Sequence, residues 1–236
     1  MKRSQSPADG VGHPDRRSFL GRVAGVAAVA VGGAGFPPEA AAPAELPAPI
    51  TDKWDLTWAD RLTGQARGVF DSPQIEDGGG LFRAIMWMNQ NKEVYGLKDG
   101  EMNAVLVIRH TAIPMVATDE YWARYKVGKK HKVTDWSVNK PAERNPFIDH
   151  PSPDGKPNPG GAYSLGVLMK RGGTVLACNL AFDLIVSEVG KEEKLEGPAA
   201  RTRALTYLLP GVILQPSGVF GVLRAQAAGC SYILAS

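Results

Sequence analysis

The chain has 236 residues, 44% of them hydrophobic and 22% charged, which is ordinary globular composition with enough apolar material for one sizeable core. Its formal net charge of +3 is too small to imply a nucleic-acid partner. There are only two cysteines, Cys178 and Cys230, so thiol chemistry, if there is any, rests on one of them.

The amino-terminal residues are set apart from the rest. A polar start leads to Arg16-Arg17-Ser18-Phe19-Leu20 and then to the short, glycine- and alanine-rich run "GRVAGVAAVAVGGAGF". This is the pattern of a twin-arginine export signal. The apolar run is too short and too rich in glycine for a span of roughly 20 residues. Ala42-Pro43-Ala44 and Ala40-Ala41-Ala42 offer small-x-small cleavage sites. Residues 1–44 therefore read as a removable signal, with a periplasmic or otherwise extracytoplasmic destination and no membrane insertion after cleavage. They carry five basic and three acidic side chains, leaving 22 basic against 21 acidic in the remainder. So even a balance argues against a polyanion or membrane-surface partner.

Residues 45–64 form a lead-in whose Trp54, Leu56, Trp58 and Leu62 are expected to pack onto the domain that follows. That domain, 65–236, contains the apolar runs "ARGVF" (66–70), "AVLVI" (104–108), "TVLAC" (174–178), "GVILQ" (211–215) and "SYILA" (231–235). They do not alternate apolar with polar, as fits strands buried on both faces of a parallel sheet. Helical patterns lie between them. "GLFRAIMWMNQNKEV" follows Gly78-Gly79-Gly80, and "TDEYWARY" has Thr118 in position to cap it. "GAYSLGVLMKRG", "LAFDLIVSEV" and "PAARTRALTYLLP" follow, and "SGVFGVLRAQAAG" runs from Ser217 as N-cap to Gly229 as its stop. The alternation predicts a three-layer α/β domain with a mostly parallel five-stranded sheet flanked by helices.

One long segment, 126–161, interrupts the alternation. It is rich in Lys, Pro, Asn and Gly, as lids and binding loops are. Its "GKKHK" reads as a solvated basic surface, and Trp136 and Phe147 are expected to pin parts of it down.

Ligands of an open parallel sheet bind outside the carboxyl ends of its strands. That edge collects Asp71 and Ser72, then Arg109 and His110, then Cys178 and Asn179, then Gln215 and Ser217. Cys178 stands at a strand-to-helix junction, where the positive helix end and the nearby Arg109 and His110 would favour a thiolate. The same residue type is also among the most often buried. Cys230 precedes the last strand and so belongs to the opposite edge, roughly 15 Å away along strands of this length. A disulfide needs Cα atoms within about 7 Å, so two free thiols are expected, with Cys230 structural. No spacing supports a metal centre built on His110, Cys178 and Asp71, Glu76 or Asp77. "DGGG" lacks the spacing of a nucleotide loop, and no Gly-x-Ser-x-Gly elbow occurs. No metal or cofactor is expected.

The stretches "VLVIRHTAIP", "KRGGTVLACNLAF" and "LLPGVILQPSGVFGVLRAQAAGCSYILA", with "YWARY" and "NPF", resemble the DsrE/DsrF-like family of small α/β proteins. The resemblance spreads over about residues 65–236 and implies a Rossmann- or flavodoxin-like sheet and a tendency to form homo-oligomers. Some members relay sulfur through a persulfide on a cysteine after a central strand, and Cys178 lies at the matching place. The resemblance thus implies Cys178 as the reactive residue, and the strand-end reading puts Arg109, His110, Asn179, Ser217 and Asp71 around it. Its implied partners are a small sulfur species or a sulfur-carrier protein. The export signal and the 126–161 insertion depart from the sulfur-relay members. The alternative is a non-catalytic small-ligand-binding or assembly module using the same crevice.

Overall fold

The continuous apolar runs are strands: β1 (Ala66–Ser72), β2 (Met102–Ile108), β3 (Thr174–Cys178), β4 (Ile213–Gln215) and β5 (Ser231–Leu234). The computed structural model describes residues 46–135, 138–150 and 161–235. The twin-arginine segment, Trp136 and the 151–160 part of the long loop lie outside the described residues. The strands pair in the order β4-β3-β2-β1-β5, and every pair is parallel. β2 is buried at six of its seven positions, the double-sided burial that its unbroken apolar sequence requires.

From β1 through β4 the chain steps across the sheet in one direction, and right-handed crossovers keep those connections on one face. That face holds the larger core. Phe70, Leu106, Ile108 and Val175 of the strands meet Leu81, Ile85 and Met88 of α1 (Gly79–Tyr95) and Phe182, Ile185 and Val189 of α5 (Asn179–Glu193). In α1 the buried Leu81, Ala84, Ile85 and Met88 recur at helical spacing, and Gly96 closes it in the left-handed conformation. The step from β4 back to β5, beyond β1, runs the other way. It therefore lays α7 (Gly218–Ala227) over the opposite face, where it touches all five strands.

The second core is smaller. Val69, Val105, Val107 and Leu176 meet Val222 and Ala225 of α7, Cys230, and Trp58 and Leu62 of the lead-in. Trp58 is fully buried, so the lead-in completes this layer; Trp54 and Leu56 are only half-buried. Gln215 holds it there by donating from Nε2 to the Asp55 carbonyl at 2.8 Å.

Shorter helices fill the connections: α2 (Asp119–Tyr125), α3 (Val127–His131), α4 (Leu165–Lys170) and α6 (Gly197–Leu205). Thr118 occupies the N-cap position of α2, but its hydroxyl makes no cap bond. The described part of the long loop is folded onto the domain. It contains α3, a two-residue antiparallel pairing of Thr134–Asp135 with Lys140–Pro141, and the buried Asn145 and Phe147. Asn145 donates from Nδ2 to the carbonyls of Met115 and Ala117, and its Oδ1 accepts from the Phe147 N–H. Phe147 lies against Gly78, where a Cβ would sit 2.6 Å from the ring at a φ of +82°. Close packing and a left-handed backbone at this helix start call for glycine at position 78.

Candidate functional site

The carboxyl ends of β1, β2 and β3 bring the expected residues to one edge. Along each strand alternate residues share a face, so Asp71 follows Val69, and Arg109 follows Val107, onto the α7 side of the sheet. There they meet. Arg109 donates from Nε to Asp71 Oδ1 at 2.7 Å and from Nη2 to Oδ2 at 2.9 Å, a bidentate pair. The Tyr232 hydroxyl donates to the same Asp71 Oδ2 at 3.0 Å. The Asp71 carboxylate is almost fully buried, while Arg109 remains partly exposed. Hydrogen bonding to Asp71 raises the Arg109 pKa, opposed by burial and supported by the charges of Asp71, Tyr232 and Cys178. Cys178 is thus within electrostatic reach of this guanidinium.

The stem of Arg109 is held by the start of α7. A Cβ on Gly218 would lie 2.6 Å from Arg109 Cδ and 2.7 Å from its Cβ, so glycine is what lets the arginine pass. Ser217, immediately before, accepts the Phe220 N–H on its Oγ at 3.1 Å and caps the helix. Its own hydroxyl proton stays available to donate.

Cys178 is the last residue of β3 and the N-cap of the 15-residue α5. Its Sγ accepts the Ala181 N–H at 3.4 Å, and the residue is 7% exposed. The free N–H groups of a helix start favour negative charge. Cys230 is also a free, buried thiol, but it sits in the smaller core before β5. Burial pushes its pKa up to about 11, with Arg67 opposing.

The remaining expected residues are placed differently. Asn179 accepts from Arg201 of α6 on its Oδ1, which ties the amide to that helix. His110 is exposed and takes a φ of +49° at the head of the 3₁₀ turn His110–Val116. Beside it opens a cavity of about 350 Å³ lined by Ile75, Glu76, Asp77, Thr111, His131 and Lys132. Burial lowers the His131 pKa, with Glu188 opposing. Among the described residues, no three His, Cys, Asp or Glu side chains converge where a metal ion could sit.

Two features escaped the sequence reading. Tyr232, read only as part of an apolar strand, is a member of the site. A second polar cluster joins α2, α5 and α6: Glu193 accepts from Tyr125 at 2.7 Å, from Tyr207 at 2.9 Å and from Arg203 at 3.0 Å. These bonds, that of Tyr125 first, hold the Glu193 pKa down to about 2. The rings of Tyr121, Tyr125 and Tyr207 pack together tilted or edge-on, with centroids 4.6 to 5.9 Å apart. The spacing of Tyr121 and Tyr125, four apart on a helix, was the available signal.

No family model matches this sequence, and no curated protein or solved structure matches it at a significant level.

Proposed function

We propose that the chain is an exported DsrE-like protein that handles reduced sulfur through Cys178. The observation that carries this reading is the placement of the Cys178 sulfur: at the carboxyl edge of a parallel sheet, accepting a helix N-terminal N–H, within electrostatic reach of Arg109. In the proposed step the Cys178 thiolate attacks the outer sulfur of a persulfide donor, R–S–SH. A new S–S bond forms on Cys178, the donor S–S bond breaks, and R–S⁻ leaves as the thiolate. Arg109 and the Ser217 hydroxyl would hold the bound persulfide anion. Because Asp71 already neutralises Arg109, the guanidinium acts through its unused N–H groups rather than through a free net charge. The Arg16-Arg17 signal would carry the folded chain out of the cytoplasm, where a small sulfur species or a sulfur-carrier protein would be its partner.

Thiol labelling tests this. In the folded chain Cys178 reacts with an alkylating reagent at pH 7 well before Cys230. The reverse order removes Cys178 as the working thiol.

The cavity beside Thr111 and His131 supports a second reading, a non-catalytic module that binds a small ligand of mixed charge at the same edge. A chain in which Cys178→Ala changes no ligand affinity, while Asp77→Ala does, favours it.

A further inference from the structure

In the sequence, Lys129 belongs to a basic run that reads as solvated surface. The structure divides that run. Arg124 pairs with Glu193 and Lys130 with Glu188, both on α5. Lys126 and Lys129 instead line a cavity of about 410 Å³, and Lys140 of the two-residue pairing lines it with them. Trp122, Pro141 and Ala142 give the cavity apolar walls. Among the described residues, no carboxylate forms an ion pair with any of these three lysines. The cavity also holds the carboxylate of Glu143, so three positive charges against one negative leave a formal +2. The backbone fixes this grouping. The Val133 N–H donates to the Gly128 carbonyl and the Ala142 N–H to the Val133 carbonyl, both at 2.9 Å. A Cβ on Gly128 would lie 2.2 Å from the Ala142 carbonyl oxygen, so the strand carrying Lys140 rests directly on the helix carrying Lys129. Lys126, three residues before Lys129, takes a φ of +52° where α2 passes into α3. A residue with a side chain keeps that conformation only where its surroundings determine it. Trp122 is pinned in turn, its Nε1 donating to the Pro114 carbonyl at 2.8 Å.

We infer that this cavity binds a phosphate monoester, with the phosphoryl group among Lys126, Lys129 and Lys140 and the organic part against the apolar walls. Like charges gathered around one cavity repel each other and attract an anion. The choice of anion follows from count and charge. A phosphate monoester near neutral pH carries about −1.5 to −2 on three terminal oxygens. That matches a net +2 and offers one oxygen to each ammonium group, and lysine binds phosphate as a point charge. A monocarboxylate matches neither the charge nor the count. The cavity volume falls in the range of small-molecule sites, which leaves room for the organic part beside the phosphoryl group. The site lies apart from Cys178 and from the cavity beside Thr111, and the inference depends on neither.

The test is calorimetric titration of the full chain near neutral pH, at fixed ionic strength, with phenyl phosphate, inorganic phosphate and benzoate. Phenyl phosphate is expected to bind saturably at one site per chain and more tightly than inorganic phosphate. Benzoate is expected to bind at least about tenfold more weakly than phenyl phosphate. Lys129→Ala and, separately, Lys140→Ala each weaken phenyl phosphate about tenfold, the worth of one hydrogen bond to a charged group. Lys130→Ala, which removes an ammonium group already committed to Glu188, changes the affinity little. The three side chains are exposed, so the far-ultraviolet circular dichroism is expected to stay unchanged. Absence of saturable binding overturns the inference. So does binding that survives both Lys129→Ala and Lys140→Ala, or a loss in Lys130→Ala as large as theirs, which would make the attraction one of diffuse charge. Benzoate or inorganic phosphate binding as tightly as phenyl phosphate rejects the monoester. Should one variant fail to fold, the other and the ligand series decide.

Discussion

At the scale of single residues, the site turns on one ion pair. Asp71 is buried and takes three hydrogen bonds, two from Arg109 and one from Tyr232. Removing one partner of such a pair leaves a buried charge uncompensated, which costs about 3–5 kcal/mol where burial is complete. Arg109 is partly exposed, so Arg109→Met is expected toward the low end, read as a lower denaturant midpoint. Asp71→Asn with Arg109→Met is expected to recover part of that loss; a double variant as unstable as the sum of the singles refutes the pairing. This pair was not legible in the sequence. Both residues were collected at the edge because they end adjacent strands, yet their meeting requires the register that sets Asp71 beside Val107 and Tyr232 beside Val69. Tyr232 lies 161 residues from Asp71, and no local pattern announces a contact of that range.

At the scale of elements, the starts of helices do most of the positioning. Gly218 at the head of α7 leaves room for the Arg109 stem. Gly218→Ala is expected to push the guanidinium off Asp71 and cost about 1–3 kcal/mol, as overpacked sites do. In an Arg109→Ala background the same substitution should cost little. An unchanged cost there would mean that Gly218 serves the backbone alone. The Ser217 cap, the Gly229 stop and the α1 face were readable from spacing because they depend on neighbours within one or two turns. Asn145 was not, since it serves carbonyls some 30 residues away.

The polar cluster between α2, α5 and α6 predicts how the fold responds to acid. Tyr125, Tyr207 and Arg203 depress the Glu193 pKa from its ordinary value of 4.5 to about 2. The folded state therefore binds the Glu193 proton less readily than the unfolded chain. This contribution is fully present above about pH 4.5 and is lost as pH falls toward 2. Thermal unfolding followed through that window is expected to show a declining Tm, with a shallower decline in Glu193→Gln. An identical slope in the variant would assign the acid sensitivity elsewhere.

At the scale of the whole molecule, the three layers follow from the direction of the crossovers. The mostly parallel sheet was readable because its central strands, buried on both faces, leave unbroken apolar runs; the apolar run of β5 instead lies on the exposed edge. The order of the strands was not, since it is set by which pairings the crossovers permit. The return from β4 to β5 puts α7 alone on the second face, too little to cover it, and Trp58 of the lead-in supplies the difference. Trp58→Ala is expected to cost about 3–5 kcal/mol, the range for a large buried aromatic. A loss below 1 kcal/mol would mean the lead-in is dispensable to the core.

The proposal about Cys178 is tested most directly by intact-mass and peptide mass spectrometry of the folded chain after exposure to a low-molecular-weight persulfide donor. The expected result is a gain of one sulfur atom on the peptide containing Cys178, reversed by a reducing thiol and lost in Cys178→Ala. A gain on Cys230 instead, or none at all while Cys178 is intact, would contradict the account.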